Sequence, residues 1–168
     1  YPFLVLESIG REVEEKLTIT SGGTVILPAI STLYKMTKIR KAHLELLRLA
    51  IQKPVPDNKI KKYAIQYGWM PVYDYPDEPW TAREIRQQLK GMRDPKKELI
   101  YSAQLRKQGL ALYKKYHQTL KDPVWRKKVE IVHYFSYLKE MRDDYRRQVY
   151  ATVRPMWDEV ARRLGCSV

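Results

Sequence analysis

The 168 residues carry a formal charge of +13, from 32 Lys+Arg against 19 Asp+Glu, with Tyr and Trp in excess of Phe. This length suits one domain, or a small domain with long extensions, and an apolar share of 44% excludes wholesale disorder. Cys166 is the only cysteine, which excludes an intrachain disulfide and any multi-cysteine metal site and fits a reducing compartment.

The chain begins Tyr1-Pro2 without Met, which fits a processed product or a fragment and leaves organelle import open. Residues 3–6 form a short apolar run that reads as a strand or a packed extension. Leu17 to Leu27 reads as two short strands around Ser21-Gly22-Gly23, where glycine permits positive φ, and Pro28 ends them. Leu17–Tyr34 is also the longest uncharged stretch, a candidate for membrane contact although its polar residues and Pro28 dilute it.

From Ser31 the period becomes helical, with Leu33, Met36, Leu44, Leu47 and Ile51 on one face and Arg40 interrupting it. Pro54 and Pro56 stop that helix. Asp57 is expected to cap a short helix carrying Ile60, Ala64 and Tyr67 on one side, which Gly68 closes. Residues 69–80 hold three internal prolines and four aromatics, which predicts an extended strap lying along a protein surface, with Trp69, Tyr73, Tyr75 and Trp80 as its docking anchors.

Thr81 and Glu84 then have the spacing of a capping box, with Trp80 and Ile85 at the staple positions. Asp94-Pro95 and Asp122-Pro123 repeat one device, an acceptor at the N-cap followed by proline at the first helical position. The first starts a helix with Leu99, Ala103, Leu110, Tyr113 and His117. The second starts a longer one with Tyr134, Leu138, Met141, Tyr145 and Val149, which Pro155 kinks or restarts and Gly165 ends. Tyr134, Tyr145 and Tyr150 are expected to pack between helices rather than to stack on bases. Two long helices joined near Lys121 predict an antiparallel hairpin.

The fold class that follows is mainly α. It comprises a C-terminal antiparallel helical hairpin with shorter helices, an extended proline–aromatic strap and a small N-terminal β-hairpin or arm. The expected segments are 1–30 (arm or hairpin), 31–68 (basic helical), 69–80 (strap) and 81–168 (basic hairpin region).

No arrangement with catalytic or ligand-binding spacing emerges. His43, His117 and His133 lie far apart without metal spacing, and Glu14-Glu15, Asp143-Asp144 and Asp158-Glu159 are sequence neighbours that do not share a helix face. There is neither a phosphate-cradling loop nor a dinucleotide fingerprint, so the expectation is a non-enzyme with no cofactor and no metal.

Charge supplies the positive signal. Residues 1–80 hold 11 Lys+Arg against 9 Asp+Glu, whereas residues 81–168 hold 21 against 10. Such a field attracts polyanions. Basic clusters on several helices, interleaved with Tyr and Trp, fit folded RNA better than one DNA groove. The expected RNA-contact residues are Lys38, Arg40, Lys41, Lys61, Lys62, Arg126, Lys127, Lys128, Arg146 and Arg147.

Thr20-Ser-Gly-Gly-Thr-Val-Ile-Leu-Pro28, followed by Ile30 and Leu33, resembles the strand-turn-strand-Pro start of swapped-hairpin bacterial transcription regulators. The family's next Gly-Asp turn and second hairpin are missing, and a basic helix stands in their place. That resemblance implies a DNA-binding regulator.

The leading expectation is a structural RNA-associated subunit of a ribonucleoprotein assembly. An organellar, mitochondrial ribosome comes first, with structured RNA and neighbouring protein subunits as partners. The alternative is an accessory subunit of a membrane-bound respiratory or ATP-synthase complex, touching the membrane through 17–34. The mitochondrial matrix, or the matrix face of the inner membrane, is the expected location, and otherwise the cytoplasm.

Overall fold

The computed structural model describes residues 2–21, 35–52, 54–74 and 76–166, and among them it is mainly helical, with six helices and no strand. They are α1 (Pro2–Ser21), α2 (Lys38–Ile51), α3 (Asp57–Tyr67), α4 (Ala82–Gly91), α5 (Pro95–Thr119) and α6 (Pro123–Leu164). The chain divides into two compact units. Unit 1 holds Tyr1–Met36 with Ile100–Glu140, and unit 2 holds Thr37–Leu99 with Met141–Val168.

In unit 1 the N-terminal segment departs from expectation. Residues 3–6, read as a strand or extension, and 17–20, read as a strand, belong to α1. The remainder of the expected β-hairpin, residues 22–34, lies outside the described residues. Pro2 opens α1, where a missing amide costs nothing, and Ile9 and Val13 sit one turn apart on the packed side. The core of unit 1 is Val13, Tyr113, Tyr116, Leu120 and Val129, flanked by Ile9, Trp125 and Val132. Tyr113 of α5 lies with its ring centroid 4.4 Å from that of His133 on α6, and His117 meets Glu130 at 3.0 Å. The expected helix starts are present in both long helices. Asp94 Oδ1 accepts from the Lys97 amide at 3.0 Å, and Asp122 Oδ1 accepts from Val124 N at 2.8 Å.

Unit 2 is organised by α2, α3 and α4 around Ala42, Leu46, Leu49, Ala50, Ile60, Tyr63, Tyr67, Met70, Ile85 and Leu89. Two local expectations change. The expected Leu47 is buried, but the other buried residues of α2 are Ala42, Leu46, Leu49 and Ala50, while the expected Ile51 is exposed. Two alanines allow close approach, and apolar periodicity weighted towards large side chains misses them. Asp57, expected as a cap, is instead the first residue of α3 and pairs with Arg86 at 3.0 Å; Pro56 holds the cap position. The capping box forms as expected, with Thr81 N donating to Glu84 Oε2 at 2.9 Å and Arg83 N donating to Thr81 Oγ1 at 3.1 Å. The Thr81 hydroxyl, and then its amide, donate to the Glu84 carboxylate and hold it below its ordinary value.

The proline–aromatic segment was expected to run extended. It turns back instead, with amide-to-carbonyl bonds Val72→Trp69 and Asp77→Asp74, both 3.1 Å. Trp80 N then donates to Gly68 O at 2.8 Å, so the segment ends where it began. Gly68 makes that closure feasible. A Cβ there would stand 2.5 Å from Ala64 O and 2.6 Å from Trp80 O, so no side chain fits although φ is an ordinary −57°.

α6 continues through Pro155 to Leu164 without a restart. Gly165, at φ +67°, ends it in a Schellman arrangement, with Cys166 N donating to Ala161 O at 3.0 Å and Gly165 N to Arg162 O at 3.4 Å.

Candidate polyanion-binding surfaces

A cation that already has a partner within its own fold gains less from a phosphate than one with only solvent around it. The state of each expected contact residue therefore matters more than its sign.

In unit 1 the expected trio Arg126, Lys127 and Lys128 is engaged throughout. Arg126 Nη2 donates to Lys121 O at 3.1 Å, and Lys127 pairs with Glu130 at 3.3 Å. Lys128 pairs with Glu12 of α1, and its ammonium lies 4.6 Å from the Trp125 ring centroid. Lys16 covers the same indole at 5.5 Å. Hydrogen bonds from His117 and Lys127 hold the Glu130 carboxyl below its ordinary value. Trp125 and Lys128 thus tie α1 to α6, while Arg126 and Lys127 are engaged next to their own positions.

Three unengaged cations of unit 1 lie together on α5. Lys107, Lys114 and Lys115 are exposed and make no side-chain hydrogen bond or ion pair among the described residues. Leu99 to Lys121 contains no Asp or Glu, so no carboxylate can reach them from one turn away. Lys107 and Lys114 are two turns apart, roughly 10 Å along the axis, with exposed Ala111 and Gln118 beside them. The contact residues expected from the sequence do not include Lys107, Lys114 or Lys115. The missing carboxylates were the signal that would have ranked them above Arg126, Lys127 and Lys128.

In unit 2 the expected residues separate in the same way. Lys41, Lys61, Lys62 and Arg146 are exposed and have no partner among the described residues. Arg40 is exposed beside Lys41. Lys38 and Arg147 are built into the fold. Lys38 Nζ donates to Gln148 Oε1 at 2.7 Å and sits 4.8 Å from the Tyr145 ring centroid. The Arg147 guanidinium lies 3.5 Å from the Tyr73 ring centroid and donates through Nη1 to Met70 O at 2.8 Å, while its buried Nε has no partner among the described residues. Of the expected docking anchors, Trp69 and Trp80 pack against the unit 2 core and Tyr73 lies under Arg147. Tyr75 lies outside the described residues.

Asp144, singled out in the sequence only as the neighbour of Asp143, is buried. It is only 2% exposed, and its Oδ2 accepts from Lys38 N at 2.7 Å and from Ile39 N at 3.4 Å. These are orphan amides of the first turn of α2, where a negative charge is favoured. Thr37 caps the same end, with Oγ1 accepting from Arg40 N at 3.5 Å. A carboxylate supplied from a remote helix leaves no local sequence signature.

The remaining titratable groups form no reaction centre among the described residues. His43 pairs with Glu98 at 3.0 Å, His133 is buried against Tyr113, and no three metal-binding side chains cluster. An open groove of about 360 Å³ along α6 is lined by Lys127, Glu130, Ile131, Tyr134, Phe135 and Leu138, and its one acid already serves His117 and Lys127. No helix among the described residues is long and apolar enough to cross a membrane.

Comparisons with protein-family models, with curated proteins and with solved structures gave no match.

Proposed function

We propose that this chain is a non-catalytic, RNA-associated structural subunit of a large ribonucleoprotein assembly, with an organellar ribosome in the mitochondrial matrix as the first candidate. One observation carries the reading. Lys107, Lys114 and Lys115 stand exposed, with no partner among the described residues, on a stretch of α5 without a carboxylate, so their charge is available to an outside anion. Lys41, Lys61, Lys62 and Arg146 add cations of the same kind in unit 2. Tyr63 and Tyr67, beside Lys61 and Lys62, are buried and closed to base stacking, which favours phosphate neutralisation at that cluster. In this reading the two C-terminal helices act as an antiparallel hairpin that displays the cations, and the 69–80 segment contributes to protein contacts.

Density-gradient sedimentation of the native protein, with and without RNase, tests the proposal. A heavy peak that collapses under RNase and under high salt is the expected result. A heavy peak that resists RNase and needs detergent for release points to a membrane-bound assembly. A light, dimeric species that prefers particular duplexes points to a DNA-binding regulator.

A further inference from the structure

The last part of α6 is attached to unit 2 by the wrong side for an ordinary amphipathic helix. Asp144, Arg147 and Arg154 make its contacts: Asp144 to the start of α2, Arg147 to Met70 and Tyr73, and Arg154 to Asp77 O and Glu78. At 100° per residue those three positions fall on one side of the helix. Tyr145, Val149, Met156, Val160 and Leu164 fall on the other side, within an arc of about 100°. All five are between 39% and 71% exposed. The polar face is used inside the fold, and apart from the Lys38 ammonium over Tyr145 the apolar face is left in water.

We infer that this apolar face of α6 is a docking surface for an amphipathic helix of a neighbouring protein whose flanks are acidic. Shape argues for a helix. The five residues recur at i, i+4, i+11, i+15 and i+19, a straight stripe roughly 28 Å long that fits the ridges of a second helix. Charge argues for acidic flanks. Arg146 borders one edge of the stripe with no partner among the described residues, and Arg163 borders the other edge, sharing the carboxylate of Glu159 with Arg162. A second copy of the chain fits poorly. The antiparallel register that sets Tyr145 against Leu164 and Val149 against Val160 also sets Arg146 against Arg163, and a parallel register sets each arginine against itself. The inference is independent of RNA binding.

Two synthetic 21-residue helical peptides with the same leucine seam, one flanked by glutamates and one by lysines, provide the test when titrated into the full chain. The glutamate-flanked peptide is expected to bind at least about tenfold more tightly, with the gap narrowing as salt rises. Val149→Asp with Val160→Asp should abolish binding, and Arg146→Glu should weaken it, while helical content and thermal midpoint stay unchanged because these side chains are exposed. Several outcomes overturn the inference: equal affinity for the two peptides, binding of neither, or self-association in the ultracentrifuge that Val149→Asp abolishes. Binding to phosphatidylserine vesicles in place of the peptide, lost on the same substitution, overturns it in favour of a membrane surface.

Discussion

The same helix is held in opposite ways in the two units. In unit 1, α6 contributes Val129 to an apolar and aromatic seam with Val13, Tyr113, Tyr116 and Leu120. In unit 2, its later residues are held by Asp144 at a helix start and by two arginines on backbone carbonyls. The first attachment is non-directional and scales with the area removed from water; the second depends on individual hydrogen bonds from buried or half-buried groups. A polar attachment frees the apolar side of the helix for another protein, whereas an apolar attachment consumes it.

The largest effect that would sharpen this contrast is expected from Tyr113→Ala. Tyr113 is buried in the unit 1 seam, and its removal should lower unfolding stability by about 3–5 kcal/mol in denaturant titration. Next, Asp144→Ala should lower stability by about 2–3 kcal/mol, since it strips two amides at the start of α2 of a charged acceptor. Asp144→Asn keeps an acceptor and should recover part of that loss. If the Asn and Ala variants are equally stable, hydrogen bonding by this side chain does not hold α6 to α2.

A smaller, pH-dependent effect should come from the α2–α3 core. Burial, and then hydrogen bonding with Glu45, pushes the Tyr67 phenol up to about 12 from its ordinary 10. Burial raises Tyr63 as well, and its hydroxyl donates to Ala42 O at 2.9 Å. A group whose folded value is raised contributes stability that is present in full below pH 10 and lost as pH rises towards 12. Thermal midpoints should therefore fall through that window, and Tyr67→Phe should flatten the fall. A fall of equal size in the Phe variant would remove Tyr67 as its cause.

Much of the helical framework was legible because its signals are local. The Thr81–Glu84 box and the Asp94 and Asp122 caps each rest on residues within one turn of each other. What was missed depends on distant partners or on small residues. α1 was hidden by a strand-like run beginning at Leu17, and the packed stripe of α2 by Ala42 and Ala50. The return of the 69–80 segment depends on Gly68 meeting Trp80. Tyr134 and Tyr145, expected between helices, are 60% and 51% exposed, because periodicity locates an apolar stripe without saying whether this chain covers it. Among the expected RNA contacts, sequence marked where the cations lie. Whether they are available depended on carboxylates elsewhere, as Glu12 of α1 shows for Lys128.

The most direct measurement is the salt dependence of affinity for a structured RNA, compared between the native chain and a Lys107→Gln, Lys114→Gln, Lys115→Gln variant. Three lost phosphate contacts should reduce the slope of log affinity against log salt by about 2–3 units. The matching substitution of Arg126, Lys127 and Lys128 should change it by less than about one. An unchanged slope in the α5 variant, or the larger change at residues 126–128, would contradict the claim that unpaired cations on α5 hold RNA.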